Sequence, residues 1–315
     1  MENNNIKLVV FGVGGAGNNC IANLVEAKIK GVELIAVNTD LQILKIQKDC
    51  YTLQIGEKLT KGLGAGANPN IGRQSALESK DSITKLITGS DIVFIATGLG
   101  GGTGTGAAPE IALIAKELNI LTISVVSLPF GFEGNRRMRM AKQGLNYIIE
   151  NSDSYIVLSN ELLVEMVKNE QPDTSLKDAF KYTDSFFKNA IQGITDVIVG
   201  EGIINLDLED VKTALKHSGK ALMGIGTGKG EDRALLAAQM AINSPLLKNA
   251  DISGATRILV NIAGPSDLSL FEHSKAVKFI SSKADPDADI LIGVTTDNTL
   301  KDEIRVTAII SGMKK

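Results

Sequence analysis

The sequence has 315 residues, which at about 150 residues per domain predicts two domains with enough apolar material for two cores. Its net charge is −3, from 33 basic and 36 acidic residues, which excludes a strongly basic nucleic-acid binder, so no nucleic-acid partner is expected. The two cysteines, Cys20 and Cys50, and the two histidines, His217 and His273, match neither a disulfide framework nor a zinc motif, so a reducing compartment is expected.

The sequence contains no run approaching 18 consecutive apolar residues. Its first residues, MENNNIKLVV, lack the basic and apolar regions of a signal peptide. We therefore expect a cytoplasmic protein that does not insert directly into a membrane.

The first half of the chain alternates short β-branched segments with helix-like stretches. The predicted strands are IKLVVFG, VELIAVN, DIVFIATG, LTISVVS and SYIVLS. The run IVFIA is apolar at every position, which is typical of a strand covered on both faces. This pattern predicts an α/β fold with a doubly wound, mostly parallel, Rossmann-like sheet.

The stretch after Pro172 predicts one long helix that Thr174 or Ser175 can cap and that Gly200 can end. Apolar or small residues recur along it at steps of four and three: Leu176, Phe180, Thr183, Phe187, Ala190, Ile194 and Val197. A helix of roughly 25 residues is about 38 Å long, which favours a buried central helix between two domains over a coiled coil.

The last third predicts a smaller α+β domain. Two helix-like segments, LEDVKTALKHSG and EDRALLAAQMAI, flank the glycine-rich GIGTGKG, and Asn243 and Pro245 can stop the second of them. The strand-like TRILVNIAG, DILIGVTT and EIRVTAII follow. The predicted organisation is an α/β domain over residues 1–172, a connecting helix over 173–200 and an α+β domain over 201–315.

Two glycine-rich loops each follow a predicted strand and precede a predicted helix. In the first, Gly12, Gly14 and Gly17 fit the GxGxxG fingerprint of dinucleotide-binding proteins, although a tight turn without a ligand explains that match as well. The second, GLGGGTGTG from Gly98, has six glycines in nine residues, and this density favours an anion cradle over a turn. Two such loops on neighbouring strands favour a di- or triphosphate, and no P-loop motif is present.

These segments closely resemble the FtsZ family of the tubulin/FtsZ superfamily. The resemblance rests on GVGGAGNN, the NTD of residues 38–40, QIGEKLTKGLGAGANPNIGR, GLGGGTGTGAAP, FEGNRRMR, INLDLEDVK, SPLL, ADPDADI and LKDEIRVT, and it extends from about Ile6 to Met313. Members of the family bind GTP and polymerise head to tail.

The resemblance implies a GTP or GDP site with Mg²⁺ beside the phosphates. It places the glycine loops around the phosphates, the segment from Gly64 to Asn68 over the γ-phosphate, and Asp40 near the metal. Glu133 and Arg137 match a pair that contacts ribose and phosphate, although a solvated charge run is the alternative. The implied nucleotide-binding residues are Gly14, Gly15, Asn18, Asn19, Asp40, Gly64, Ala65, Gly66, Ala67, Asn68, Gly101, Gly102, Thr103, Gly104, Thr105, Gly106, Glu133, Arg137, Asn160, Phe180 and Asp184.

The base-reading pair is Phe180 and Asp184, four residues apart and hence on one helix face. The resemblance implies that Phe180 stacks on the base and that Asp184 reads it. A carboxylate accepts from guanine N1–H and N2–H₂, which adenine does not present in that arrangement.

The implied catalytic residues are Asn205, Asp207 and Asp210, at the start of a predicted helix in the C-terminal domain. Two acids at this position are equally well explained as helix caps. In the family this segment inserts into the nucleotide pocket of the next subunit, which implies hydrolysis in a site that two subunits share.

The implied role is a filament of the cytokinetic ring, located in the cytoplasm at the division site. The implied partners are other copies of the chain and adaptors of the division machinery, although the usual C-terminal tether peptide is absent from this sequence. Two alternatives are a divergent filament protein for partitioning or cell shape, and a dinucleotide-dependent oxidoreductase, which leaves GGGTGTG unexplained.

Overall fold

The computed structural model describes residues 6–164, 175–199, 202–244, 247 and 255–313, without the side chains of residues 176 and 177. The chain forms two compact units, Met1–Lys188 and Asn189–Lys315. The predicted domain boundaries at 172/173 and 200/201 lie at residues outside those described, so the three-part division stays a prediction.

The described part of the first unit is built on a parallel sheet with strand order β3-β2-β1-β4-β5-β6. The strands are β1 Leu8–Val13, β2 Val32–Asn38, β3 Tyr51–Gln54, β4 Ile92–Gly98, β5 Leu121–Leu128 and β6 Ser154–Ser159. β1 and all of β4 except its last residue are buried, as the uninterrupted apolar run predicts. The fold class predicted from the sequence is therefore confirmed.

Helices connect these strands and cover the sheet with apolar side chains. They are α1 Gly14–Glu26, α2 Leu41–Lys45, α3 Glu57–Thr60, α4 Pro69–Glu78, α5 Lys80–Ile87, α6 Thr103–Glu117 and α7 Asn135–Asn151. The core between sheet and helices includes Phe11, Ile95 and Ile111, each without measurable exposure. Because these strands are all parallel, the loops after β1, β2, β4 and β5 lie together at the carboxyl ends of the strands.

The predicted long helix is α8, Leu176–Val199. Ser175 caps it, because its Oγ accepts from Asp178 N (3.2 Å) and donates to Asp178 Oδ2 (2.6 Å). The alternative cap Thr174 and the stop residue Gly200 lie outside the described residues. The apolar and small residues that recur at steps of four and three are buried from Thr183 onward. Phe180, by contrast, is 43% exposed, which fits a ligand-facing side chain better than a core position.

The described part of the second unit is built on a mixed sheet with strand order β8-β11-β9-β10-β7. The strands are β7 Gly202–Ile204, β8 Gly219–Lys229, β9 Ala255–Gly264, β10 Asp289–Thr296 and β11 Glu303–Met313, and the helices are α9 Leu208–Leu215, α10 Arg233–Ile242 and α11 Leu270–Ser281. Its core joins sheet residues such as Ile262 and Val306 to helix residues such as Ala238. This arrangement is the α+β architecture expected from the sequence.

The glycine-rich GIGTGKG is part of strand β8. Its glycines 224, 226 and 228 recur at the two-residue period of one strand face. A Cβ on any of them would approach a carbonyl oxygen of α10 to between 1.9 and 2.1 Å. The glycines therefore let α10 lie directly against the strand backbone and are explained without a ligand.

Both cysteines are free, as expected. Cys20 is buried in α1, and this burial raises its pKa far above the usual range. In the described part of the chain, none of the helices combines the length and the apolar character that crossing a membrane requires.

Candidate functional site

A cavity of about 510 Å³ opens at the carboxyl ends of the parallel strands of the first unit, and we refer to it as the cleft. Both glycine-rich loops line it. A second cavity of about 530 Å³ lies beside edge strand β3, where side chains of both charges, including Lys45, Lys58, Glu57 and Glu78, line it. The cleft is the candidate site, because ligands of open α/β sheets bind at the carboxyl ends of the strands and glycine loops offer free N–H groups there.

The first glycine loop joins β1 to α1, and its glycines have two different roles. A Cβ on Gly12 would lie 2.2 Å from Gly17 O, and one on Gly17 would lie 2.4 Å from Ala96 O, so both serve close packing of helix on strand. Gly15 has open space around it and lines the cleft with Gly14, whose φ is +73°. Backbone N–H groups at the start of α1 can therefore approach an anion directly.

The second glycine loop joins β4 to α6. Gly101 faces open space, whereas a Cβ on Gly104 would lie 2.4 Å from Thr97 Oγ1, and one on Gly102 would lie 2.8 Å from Asn68 N. The glycine density therefore serves packing against β4 and the neighbouring loop as well as a ligand. Gly101, Gly102, Thr103 and Gly104 line the cleft.

The two threonines of this loop are hydrogen-bonded within the protein. Thr105 Oγ1 accepts from Gly100 N at 2.8 Å and closes the turn, and Thr105 and Gly106 do not line the cleft. Thr103 Oγ1 lies 2.7 Å from Thr39 Oγ1, which ties the start of α6 to the end of β2. Because both hydroxyls already have partners, the backbone N–H groups of this loop are its main hydrogen-bond donors to a ligand.

Two buried amides form the floor beneath the first loop. Asn18 Nδ2 donates to Gly12 O (2.8 Å) and Val37 O (3.3 Å), and its Oδ1 accepts from Asn38 Nδ2 (2.7 Å). Asn38 Oδ1 in turn accepts from Asp40 N at 3.2 Å. Asn18 therefore positions the loops beneath the cleft, and its direct contact with a nucleotide stays a prediction.

A third loop, residues 61–68, borders the cleft and packs against Gly102 of the second glycine loop. Gly64, Ala65 and Gly66 line the cleft, whereas Ala67 and Asn68 do not. Asn68 caps α4 by accepting from Asn70 N at 3.0 Å. Asp40 also lines the cleft and caps α2 by accepting from Gln42 N at 2.8 Å.

Aromatic and polar residues of α8 and its neighbours form the far end of the cleft. Phe180 meets Phe130 edge to face at 5.3 Å, and Phe130 stacks on Phe132 at 5.0 Å. Thr183 donates to Asn160 Oδ1 at 3.3 Å, and both residues line the cleft. The packing of Phe130 against Phe180 was not predicted from the sequence. The two phenylalanines of the segment PFGF were the feature that could have indicated it.

Asp184 lies at the same end of the cleft, together with Asn19. Burial raises the pKa of Asp184 to about 6. Half-buried in the cleft, this carboxylate meets fewer hydrogen-bond donors than it would in water, and a base edge with two N–H groups would supply them.

Glu133 and Arg137 pair with each other at the rim of the cleft. Glu133 Oε1 also accepts from Phe130 N at 2.9 Å, at the 3-10 turn Gly131–Glu133 before α7. The pair is therefore part of the folded rim, which argues against a freely solvated charge run.

The charged residues that line the cleft are Asp40, Glu133, Arg137 and Asp184, three acids and one base. The described residues contain no group of three acidic, histidine or cysteine side chains that could hold a metal. Of the described residues that line the cleft, Arg137 is the one cation, so an anion bound beside the glycine loops would rely mainly on N–H dipoles. Eight residues that line the cleft were not predicted from the sequence: Ala16, Asn38, Ile43, Leu63, Gly98, Leu99, Ser127 and Thr183.

Asn205, Asp207 and Asp210 belong to the second unit, around the start of α9. All three are exposed. Asp207 occupies the N-cap position, yet its side chain makes no capping hydrogen bond. Among the described residues neither aspartate side chain has a hydrogen-bond or ion-pair partner, so the helix-cap explanation of Asp207 loses its support.

The model of the tubulin/FtsZ family GTPase domain matches residues 7–168, and that of the FtsZ family C-terminal domain matches residues 219–314. An empty FtsZ dimer from M. jannaschii is 46% identical to this chain with a TM-score of 0.92, and the match covers 98% of this chain and 88% of the M. jannaschii chain. The chain belongs to the FtsZ family. A point mutant of FtsZ from M. jannaschii gives 45% identity and a TM-score of 0.92, covering 98% of this chain and 91% of its own.

CetZ2 from Haloferax volcanii, solved as a GTPγS-bound protofilament, shares the fold at 19% identity and a TM-score of 0.78, covering 98% of this chain and 94% of its own. Membership of the FtsZ family confirms the resemblance seen in the sequence and makes the protein a GTP-binding GTPase of the tubulin superfamily. It excludes the oxidoreductase alternative.

The raised pKa of Asp184 predicts a pH dependence of guanine binding to this FtsZ-family protein. Only the ionised carboxylate accepts from both N–H groups, so GTP affinity is expected to fall about tenfold per pH unit below about pH 6. Titrations of the protein with a fluorescent GTP analogue between pH 5 and pH 8 measure this affinity. The terminal phosphate titrates in the same range, so Asp184→Asn is the control, and parallel pH profiles for the two proteins would contradict the prediction.

Proposed function

We propose that the cleft binds GTP with its triphosphate on the two glycine loops and its base between Phe180 and Asp184. The observation that carries this proposal is that one cleft is lined both by a half-buried carboxylate, whose pKa burial raises, and by two glycine loops with open space at Gly15 and Gly101 for a ligand to approach the backbone. The volume of about 510 Å³ suits a nucleotide, since ligand pockets span about 300–1,000 Å³. Glu133 and Arg137 at the rim contact the sugar and the phosphate, and residues 64–68 lie over the γ-phosphate.

Mg²⁺ fits this cleft as a companion of the phosphates. A hard cation on a triphosphate keeps several waters and needs few protein ligands, and the cleft offers one carboxylate beside the phosphate end, that of Asp40. Such an ion neutralises phosphate charge. Asp40 holds the start of α2, and the glycine loops hold the phosphate oxygens.

Hydrolysis takes place between two subunits in this proposal. Among the described residues the cleft lining contains no acid free to orient a water beside the γ-phosphate end apart from Asp40, whereas the exposed Asp207 and Asp210 of the second unit have no side-chain partner in that part of the chain. These two acids orient the attacking water in the cleft of the next subunit, and Asn205 contacts phosphate or metal there. Exposed apolar residues adjoin both surfaces: Leu63 at the cleft, and Ile203 and Ile204 beside the acids.

Head-to-tail contact of one surface with a different one produces open filaments rather than closed dimers. GTP stabilises each contact, the contact completes the active site, and hydrolysis weakens the contact again. We propose that these filaments form the cytokinetic ring at the division site, with adaptors of the division machinery as further partners.

The test of the shared site is the dependence of hydrolysis on protein concentration. Specific GTPase activity is expected to rise from near zero above the concentration at which filaments appear, because a lone subunit lacks the acids. Phosphate release and sedimentation are measured in the same samples. Constant turnover per subunit down to nanomolar protein would refute the shared site and leave GTP binding intact.

A further inference from the structure

Helix α3 begins without a cap of its own. It spans Glu57–Thr60 and follows Gly56, which has no side chain to accept from the first N–H groups. Those N–H groups are instead bound by Glu78, the last residue of α4. Lys58 N donates to Glu78 Oε1 at 3.0 Å, and Leu59 N donates to Glu78 Oε2 at 3.2 Å.

The position of Glu78 is unfavourable for α4 itself. A carboxylate at the carboxyl end of a helix faces the negative end of that helix dipole. The positive end of the α3 dipole compensates this unfavourable interaction, because each carboxylate oxygen of Glu78 accepts a hydrogen bond from a backbone N–H of α3. This pairing joins α3 to the end of α4 through Lys58 and Glu78, which are 20 residues apart in sequence.

Helix α3 leads directly into the 61–68 loop, and several contacts fix the course of the loop, among them Leu41 N to Gly62 O at 3.1 Å. Gly62 N donates to Thr60 Oγ1 at 3.3 Å, and Gly64 N donates to Thr39 O at 3.2 Å. At the other end of the loop Asn68 caps α4. Helix α4 therefore holds the loop at both ends, through Asn68 at its start and Glu78 at its end.

We infer that Glu78 is a positioning residue that holds the 61–68 loop in the conformation that receives the γ-phosphate. The inference rests on the proposed role of residues 64–68. Glu78 lies outside the cleft lining, so it acts through α3 and touches no nucleotide. Loss of Glu78 lowers the fraction of molecules with a formed loop, and the affinity for any ligand that needs the loop falls by that fraction.

The test compares the affinities of the full chain for GTPγS and GDP. Glu78→Ala is expected to weaken GTPγS about 3- to 10-fold, the effect of losing one helix cap, and GDP less than about 2-fold because GDP has no γ-phosphate. Glu78→Gln keeps one acceptor, and its GTPγS affinity is expected to lie between those of the wild-type chain and of Glu78→Ala. Amide hydrogen exchange at residues 58–64 is expected to accelerate in Glu78→Ala.

Glu117→Gln is the matched control, since it removes an exposed carboxylate that pairs with Lys80 on the same unit. Equal weakening of both nucleotides, or no weakening of either, overturns the inference. Gly66→Asp separates this failure from that of the proposed function, because Gly66 lines the cleft with open space around it and Asp is among the residues that tolerate its φ of +56°. If Gly66→Asp also leaves the GTPγS affinity unchanged, the loop does not meet the γ-phosphate and the proposed function fails at that point.

Discussion

Asp207→Ala is expected to lower the GTPase activity about 100-fold or more while GTP binding and sedimentation of filaments persist. The reason is that the mutated side chain is exposed in the second unit, whereas the residues that line the cleft remain intact. Glu209→Ala is the matched control, because Glu209 is 80% exposed in the same helical turn and pairs with Lys212. Phosphate release at saturating GTP measures the loss, and equal losses in both variants would contradict a specific role for Asp207.

A mixture of two inactive variants tests whether the acids act across the contact. Gly101→Glu is expected to abolish nucleotide binding by placing a carboxylate in the phosphate cradle, and Gly101 has open space, so the loop itself keeps its shape. A Gly101→Glu subunit retains Asp207 and Asp210 and lends them to the GTP-filled cleft of an Asp207→Ala neighbour. Each contact that joins a GTP-filled Asp207→Ala cleft to the acids of a Gly101→Glu neighbour is then complete.

Activity in the mixture should therefore exceed the sum of the two separate activities. Sedimentation of tagged variants shows whether both enter the same filaments. If they sediment together and the activity stays at the sum, the acids do not serve the neighbouring cleft.

Asp184→Asn is expected to weaken GTP binding about 10- to 150-fold, because the amide replaces one acceptor with a donor that faces a guanine N–H. A charge-assisted hydrogen bond contributes roughly 1.5–3 kcal/mol, which corresponds to that range. Asp81→Asn, which removes an exposed carboxylate at the start of α5, is the control. Equilibrium titration with a fluorescent GTP analogue measures the affinities, and unchanged affinity in Asp184→Asn would place the base elsewhere.

Inosine triphosphate sharpens this test, because it lacks the exocyclic N2 amine. The wild-type protein should bind it more weakly than GTP, since one oxygen of Asp184 then lacks a donor. In Asp184→Asn the difference between the two nucleotides should shrink. An undiminished difference would show that another group reads the amine.

Local patterns in the sequence were sufficient to predict the parallel sheet and the long helix. The uninterrupted apolar run of β4 and the steps of four and three in α8 reflect burial, which the side chains themselves encode. Strand β8 was not predicted, because glycines 224, 226 and 228 look like loop residues. Their two-residue period has meaning only once α10 lies against that face.

The candidate site shows the same limit. Motifs were sufficient to predict the two glycine loops, since strand, turn and helix follow each other directly in the chain. The role of Asn18 depends on Val37 and Asn38 of another segment, and such a contact leaves no periodic trace in a sequence. The roles of Gly104 and Thr105 depend on Thr97, Gly98 and Gly100, which approach them only in the folded turn.

The excess of acids over bases in the cleft has a consequence for how fast a nucleotide arrives. Asp40, Glu133 and Asp184 outnumber Arg137 among the described lining residues, so these side chains are expected to repel a polyanion until the N–H groups are within reach. Added salt is expected to screen this repulsion. A nucleotide that arrives with its countercation already attached is then expected to meet the smaller barrier, so the cleft would favour that charge state before any base contact forms.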